Sequence, residues 1–110
     1  MTITVNQTQN IQVLNLNGNL VLGQDTALRN KIIELLDDNH RNFVLNFKNV
    51  KFLDTIGLSS LLSVHTMISN ENGKLAICEV NSNIENLLHI TGTIRLFDIY
   101  DGEQEAVDSF

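Results

Sequence analysis

Hydrophobic and polar residues alternate at the start of the chain, in the pattern of strands that bury one face. The segment Thr2 to Val5 has the sequence Thr-Ile-Thr-Val, and a second apolar run follows at Ile11 to Leu16. The polar residues Gln7 to Asn10 lie between these segments and can close a hairpin. Asn17-Gly18-Asn19 then predicts a break in the chain. The pattern therefore predicts a sheet that begins with a hairpin.

An amphipathic helix is predicted to start at Asp25, a residue type that can cap a helix. Four apolar residues then recur at i, i+4, i+7 and i+8, on one face of a helix. They are Leu28, Ile32, Leu35 and Leu36. The polar residues 37–39 are expected to end this helix. The apolar run Phe43 to Phe47 follows and predicts a central strand that is buried on both faces.

The succession of helix and strand then repeats. A second helix is predicted after the segment Phe52 to Gly57, and five residues share its apolar face. They are Leu58, Leu61, Leu62, His65 and Ile68. The residues Asn70 to Gly73 are expected to end this helix, and Lys74 to Val80 predicts another strand.

A third helix and two shorter elements are predicted in the last third of the chain. Ser82 and Glu85 have the spacing of a capping box, so the helix is expected to begin near Asn83. Gly92 is expected to end it. Its buried residues are expected to be Ile84, Leu87 and Leu88. Ile94 to Tyr100 predicts a short last strand, and Glu103 to Val107 predicts a terminal helical turn or more.

The predicted order is β-β-α-β-α-β-α-(β)-α, in one α/β domain over residues 1–110. Strands that alternate with helices favour a mostly parallel sheet, which the opening hairpin makes mixed. The core is predicted to include Leu28, Ile32, Leu35, Val44, Leu45, Leu61, Leu62, Ile77 and Leu87. Partners of such folds usually bind at the carboxyl ends of the strands, and the segment Phe52 to Gly57 leaves one of those ends.

Composition and charge exclude several classes of partner. The chain has 7 Lys and Arg against 13 Asp and Glu, and its cations are scattered, which argues against nucleic acid. No apolar run is long enough to cross a membrane, and the first residues lack the pattern of a signal peptide. The one cysteine, Cys78, cannot form an internal disulfide, so a reducing, cytoplasmic location is expected.

No set of residues with the spacing of an enzyme or metal site is visible. His40, His65 and His89 are isolated, and none has metal-ligand spacing with Cys78. Cys78 lies within a predicted strand, where a buried thiol is inert, and His65 is expected to be a half-buried packing residue. We therefore expect no metal, no cofactor and no enzymatic activity.

Asp54 and Thr55 lie where the chain enters the second helix. A helix N-terminus presents unpaired N–H groups and a partial positive charge, so it favours an anion. Thr55 has a hydroxyl that can be phosphorylated, Gly57 permits close approach of backbone, and Asp54 would repel the new charge. The simpler alternative is that Asp54 or Thr55 only caps the helix.

The sequence Asp54-Thr55-Ile56-Gly57-Leu58, after the strand Phe43 to Phe47, resembles the STAS domains of bacterial anti-sigma factor antagonists. Members of that family have Asp-Ser-Ser-Gly-Leu or Asp-Ser-Thr-Gly-Leu at this helix start. The resemblance covers nearly the whole chain in element order, including Asn72-Gly73 before a strand and Thr91-Gly92 at a helix end.

This resemblance implies a phosphorylation switch. The unphosphorylated chain would bind a serine/threonine kinase that is itself an anti-sigma factor, and would thereby free a sigma factor. The kinase would supply ATP and Mg²⁺, phosphorylation of Thr55 would release the complex, and a protein phosphatase would reset it. The residues expected to contact the partner are Asp54, Thr55, Ile56, Gly57, Ser59 and Ser63.

The chain departs from the family pattern at two places. Thr55 replaces the more frequent serine, and Ile56 replaces a second hydroxyl, which removes a neighbouring phosphate acceptor. The family often has Glu-Leu-Asp after the glycine of the first loop, whereas this chain has Asn19-Leu20-Val21. That loop lies at the family's partner-facing edge, so the identity of the partner stays open.

Two alternatives remain open at the level of sequence. Ser59, Ser63 and Thr66 lie opposite the apolar helix face, and they are either a solvated surface or a flat docking surface beside Thr55. The same fold also occurs in larger assemblies, including those associated with transporters. In such a scaffold or subunit the Thr55 hydroxyl would be a cap, and nothing would be phosphorylated.

Overall fold

The strand and helix patterns of the sequence form a five-stranded sheet with four α-helices in the computed structural model, which describes residues 1–110. The strands are β1 (Thr2–Thr8), β2 (Ile11–Asn17), β3 (Asn42–Asn49), β4 (Lys74–Cys78) and β5 (Asp98–Tyr100). The helices are α1 (Asp25–Asp37), α2 (Thr55–Asn70), α3 (Ser82–Thr91) and α4 (Glu103–Asp108), and a 3-10 helix spans Thr93–Leu96. The predicted element order is confirmed, with the 3-10 helix added.

The sheet has the strand order β1-β2-β3-β4-β5, which is the order of the strands in the sequence. β1 is antiparallel to β2, and the other three pairs are parallel. The mixed, mostly parallel sheet is therefore confirmed. β3 lies in the middle, and its residues Phe43 to Phe47 are all buried, as the continuous apolar run predicts.

Helices cover the two faces of the sheet unequally. α1, α2 and α3 lie on one face, where their apolar side chains and those of the sheet form the main core. α4 covers part of the other face, where Ala106 and Val107 pack near Ile11, Val44 and Ala76. This arrangement leaves the carboxyl ends of β2, β3 and β4 at one edge of the domain, followed by the loops that lead into the helices.

Three element boundaries differ from the sequence prediction for reasons of backbone geometry. β1 extends to Thr8, so the hairpin turn is shorter than predicted. β4 ends at Cys78 and not at Val80, because Glu79 has a left-handed φ of 58° that breaks the strand. The segment Ile94 to Tyr100 is not one strand, since a 3-10 helix occupies its first half.

Two predicted caps are wrong. α1 begins at Asp25, but the N-cap is Gln24 and no side chain caps this end. The N-cap of α3 is Asn81, whose Oδ1 accepts from Ile84 N at 2.9 Å, so Ser82 lies inside the helix. The end of α3 at Gly92 is confirmed, because that glycine has the left-handed φ of 74° typical of a helix terminus.

The main core contains most of the predicted residues. Leu62 and Leu87 are only half-buried, whereas the other seven predicted core residues are buried. The buried face of α2 is centred on Leu61, Val64 and Ile68, which places Leu62 on its flank. The sequence pattern alone did not locate this centre because Leu58, Leu61 and Leu62 are equally apolar.

Candidate docking surface at the start of α2

Two loops run side by side at the carboxyl edge of the sheet. Leu20, after β2, and Leu53, before α2, form an isolated parallel bridge. Leu20 N donates to the carbonyl oxygen of Phe52 at 3.3 Å, and Asp54 N donates to the carbonyl oxygen of Leu20 at 3.4 Å. The residues around Thr55 are therefore held by a segment more than thirty positions earlier in the chain.

Gly57 lies where the first turn of α2 touches this neighbouring loop. A Cβ at position 57 would lie 1.8 Å from the carbonyl oxygen of Leu20, so no other residue fits without a backbone shift. The predicted close approach of backbone at Gly57 is thus present, and the approaching group is Leu20. Gly57 itself is buried beneath the surface.

Asp54 uses both carboxylate oxygens to organise the site. Oδ1 accepts from Gly57 N at 2.8 Å and caps α2, while Oδ2 accepts from Leu22 N at 3.0 Å and holds the other loop. These hydrogen bonds hold the pKa of the Asp54 carboxyl below its ordinary value, and the one from Gly57 N has a larger effect than the one from Leu22 N. The carboxylate is therefore ionised at neutral pH.

Thr55 is the first residue of α2, and its side chain is exposed. Its hydroxyl forms no hydrogen bond within the chain, because Asp54 already caps the helix. Of the two residues that could cap the helix, Asp54 is therefore the one that does. The Thr55 hydroxyl is left free at the positive end of a helix of 16 residues.

Two asparagine side chains fix the backbone just before Asp54. Asn19 Oδ1 accepts from Lys51 N at 3.2 Å and from Phe52 N at 3.3 Å. Asn81 Nδ2 donates to the carbonyl oxygen of Lys51 at 2.7 Å. The loop is thus tied both to the segment after β2 and to the start of α3.

Three large apolar side chains surround Asp54 and Thr55 without being buried. The exposed fractions are 74% for Leu22, 53% for Phe52 and 41% for Ile56. We call these residues the apolar patch. Exposed apolar side chains on an ordered backbone, next to polar groups, are typical of a protein docking surface.

A shallow depression between α1 and α2 continues from Ile56. It has a volume of about 220 Å³ and is lined by Asp25, Arg29, Ile56, Ser59, Ser60 and Ser63. Ser60 is buried, and its hydroxyl donates to the carbonyl oxygen of Asp25 at 3.1 Å, which joins the two helices. Ser59 and Ser63, predicted from spacing to belong to the docking surface, line this depression together.

The structure adds residues that the sequence prediction did not include. Leu22 and Arg29 come from the first loop and α1, and only the sheet topology brings them to the start of α2. Phe52 belongs to the predicted segment before α2, and its hydrophobicity alone did not indicate that it is exposed. Lys51, directly before Phe52, was the one local signal of exposure.

Residues outside this surface have structural surroundings. Cys78 is buried, and burial together with the charges of Glu103 and Glu79 raises the pKa of its thiol to about 12, so the reactive thiolate is absent at neutral pH. His65 packs edge-on against Phe97 with ring centroids 5.3 Å apart, which confirms it as a half-buried packing residue. No group of three or more His, Cys, Asp or Glu side chains is placed to hold a metal ion, and none of the helices has the length and hydrophobicity to span a membrane.

The sequence pattern of the STAS domain matches residues 2–106. The chain therefore belongs to the STAS domain family. This assignment confirms the resemblance carried by residues 54–58 and by the element order.

Relatives and solved structures agree with the family assignment. The anti-sigma F factor antagonist of Paenibacillus polymyxa is 27% identical over 97% of this chain and 92% of its own length. TM1081 of Thermotoga maritima superposes with a TM-score of 0.91 at 20% identity, over 97% of this chain and 92% of that one. The anti-sigma factor antagonist SpoIIAA in its unphosphorylated form has a TM-score of 0.74 at 18% identity, over 98% and 96% of the two chains.

The fold also occurs outside regulators of transcription. A sulfate transporter family protein from Wolinella succinogenes superposes with a TM-score of 0.83 at 16% identity, over 93% of this chain and 85% of that one. At such identities a structural likeness shows the fold alone. The function must therefore be argued from the surface around Thr55.

Proposed function

We propose that this chain is an anti-sigma factor antagonist that works as a phosphorylation-controlled binding protein in the cytoplasm. Unphosphorylated, it docks on a kinase-type anti-sigma factor through the start of α2, and a sigma factor is released. Phosphorylation of Thr55 by that kinase ends the interaction, and a protein phosphatase restores it. The chain is a substrate of the kinase, which supplies ATP and Mg²⁺, and it has no catalytic role.

The observation that carries this proposal is that Asp54 makes the structural hydrogen bonds at the start of α2, while the Thr55 hydroxyl makes none. Asp54 satisfies the helix cap and the adjoining loop with its two oxygens, so the Thr55 hydroxyl has no structural duty. A kinase can therefore reach and modify this hydroxyl without breaking a hydrogen bond of the fold. Ile56 follows directly, so Thr55 is the acceptor at this helix start.

The physical effect of a phosphate at Thr55 follows from its neighbours. The group adds a charge of about −1.5 to −2 next to a carboxylate that is already ionised. The helix N-terminus tolerates the anion within the free chain. A partner surface shaped for a neutral hydroxyl would instead have to bury two adjacent negative groups, at a cost of roughly 2–5 kcal/mol.

The apolar patch supplies the attractive part of the same interface. Leu22, Phe52 and Ile56 lose exposed apolar surface when a partner covers them, which is worth about 25 cal/mol per Å². The hydrogen bonds of Asp54 and Asn19 hold their backbone in place before binding. Little ordering entropy is therefore lost on docking.

Phosphate mapping tests the assignment of Thr55. Incubation of the chain with the kinase-type anti-sigma factor of its own genome, with ATP and Mg²⁺, is expected to add one phosphoryl group at Thr55. Thr55→Ala should take up none. Ser59 and Ser60 are the neighbouring hydroxyls, and a phosphate on either of them in the Thr55→Ala variant would overturn the assignment.

The second candidate is a STAS scaffold or subunit of a transport or other assembly, since the same fold occurs in a sulfate transporter family protein. In that role the apolar patch would contact a permanent partner, and Thr55 would stay unmodified. Purification of the chain from its native cells separates the two. An ATPase of the histidine-kinase type supports the switch, and a membrane transport complex supports the scaffold.

A further inference from the structure

The outer edge of the sheet at β1 has a charge pattern unlike the rest of the molecule. The first charged side chain of the sequence is Asp25, so the β1–β2 hairpin carries none, although 18% of all residues are charged. Met1 contributes its terminal amino group, which pairs with the side-chain oxygen of Gln24. The edge that β1 presents is therefore neutral in a chain with a net charge of −6.

β1 also lacks the other devices that protect an edge strand. Natural sheets block their edges with charged residues, prolines, bulges or very short strands. β1 has seven residues, and the chain contains no proline. Its pairing with β2 runs without a register shift from Thr2 to Thr8. The opposite edge, β5, is protected by its length of only three residues.

The sequence of β1 is compatible with antiparallel pairing to itself. A two-fold axis through Val5 places Val5 opposite Val5, Thr4 opposite Asn6, Ile3 opposite Gln7 and Thr2 opposite Thr8. None of these pairs brings like charges together, which is the arrangement that destabilises directly opposed cross-strand residues. The axis is normal to the sheet, so Ile3 and Val5 of both copies stay on the side of the main core.

We propose that β1 is a docking edge for a second copy of this chain, and that two copies form a continuous ten-stranded sheet by antiparallel β1–β1 pairing centred on Val5. The backbone N–H and C=O groups on the free side of β1 supply the hydrogen bonds. A closed two-fold dimer results, because the same edge is used by both copies. The proposal is independent of phosphorylation at Thr55.

Paired charge substitutions at exposed positions test the register. In Thr4→Lys/Asn6→Lys, each dimer would contain two directly opposed Lys–Lys pairs, and association should weaken about tenfold or more. In Thr4→Lys/Asn6→Glu, the same pairs become Lys–Glu and association should be retained. The Lys–Lys variant has a net charge of −4 in place of −6, so the general repulsion between copies falls and does not explain a weaker association.

Sedimentation velocity over a concentration series up to millimolar measures this association, with any purification tag placed at the carboxyl terminus. The wild type and the Lys–Glu variant should dimerise, and the Lys–Lys variant should remain largely monomeric. A wild type that is monomeric throughout, or two variants that associate equally, would overturn the proposal. If the wild type is monomeric throughout, the β1 edge is free to bind an extended segment of another protein.

Disulfide trapping checks the same register without added charge. Val5→Cys should form a symmetrical cross-link, because opposed residues in an antiparallel pair have Cα separations of about 4.5–5.5 Å, within the range for a disulfide. The Thr4→Cys variant should not cross-link to itself. When it is mixed with the Asn6→Cys variant, the two should form a disulfide. Cys78 does not compete, since it is buried. Cross-linking of Thr4→Cys to itself at the rate of Val5→Cys would contradict the register.

Discussion

Asp54 Oδ2 lies 3.0 Å from Leu22 N, and this hydrogen bond joins two loops that are 32 residues apart in sequence. The other oxygen of the same carboxylate caps α2 through Gly57 N. One side chain thus fixes the start of the helix that carries Thr55 and also one residue of the apolar patch. The position of the free hydroxyl relative to Leu22 depends on this shared carboxylate.

Asp54→Asn should lower the melting temperature at neutral pH, because an amide has one oxygen in place of two. The pKa of Asp54 is held below its ordinary value in the folded chain, so its ionised form stabilises the fold above the unfolded-state pKa. That contribution is lost as the pH falls through the folded-state pKa, below about pH 4. Thermal unfolding between neutral and acidic pH should therefore show the two proteins converging at the acidic end. A constant difference across the series would mean that the charge of Asp54 is irrelevant to stability.

Gly57→Ala should destabilise the fold by about 1–3 kcal/mol, the usual cost of forcing extra atoms into a packed site. The new methyl group would meet the Leu20 carbonyl oxygen and separate the two loops. Gly102→Ala is the matched control, because the nearest atom to a Cβ there is Glu105 Oε1 at 3.8 Å. Denaturant unfolding measures both, and equal stabilities would show that the loop contact at Leu20 is not required.

Leu61→Ala should cost about 2–5 kcal/mol, the range for a deleted core leucine. Leu61 is fully buried at the centre of the α2 face, whereas its neighbour Leu62 is half-buried. Leu62→Ala should therefore cost less than half as much. Free energies of unfolding from urea titrations distinguish the two, and a larger loss at Leu62 would contradict the face assigned to α2.

Local pattern was sufficient for the element order and for most of the core, because each helix face and each strand is encoded within a few residues. The central strand at Phe43 to Phe47 and the helix end at Gly92 are examples. The caps of α1 and α3 were less predictable, since several polar residues compete at each start. Asn81 prevails at α3 because it also donates to Lys51 in a neighbouring loop.

The candidate site was only half visible in the sequence. Asp54, Thr55 and Ile56 are contiguous, and the family motif identified them. Leu22 and Arg29 join them through the sheet topology and the packing of α1 on α2, which no local spacing encodes. The burial of Gly57 likewise depends on a contact with Leu20 from a distant loop.

The central claim is that a negative charge at Thr55 ends partner binding without unfolding the chain. Thr55→Glu should change the free energy of unfolding by no more than about 1 kcal/mol, because the helix N-terminus accepts an anion. Its affinity for the kinase-type anti-sigma factor should fall by roughly 30-fold or more, which corresponds to about 2 kcal/mol. Thr55→Ala should bind as the wild type does but resist phosphorylation.

Isothermal titration calorimetry of Thr55→Ala and Thr55→Glu against that partner is the most direct test. Ser69→Glu, at an exposed position near the far end of α2, controls for added charge alone. The account predicts that only Thr55→Glu loses affinity, while all three variants unfold at similar temperatures. Equal affinities for Thr55→Ala and Thr55→Glu would contradict it, and the scaffold role would then be the better description of this chain.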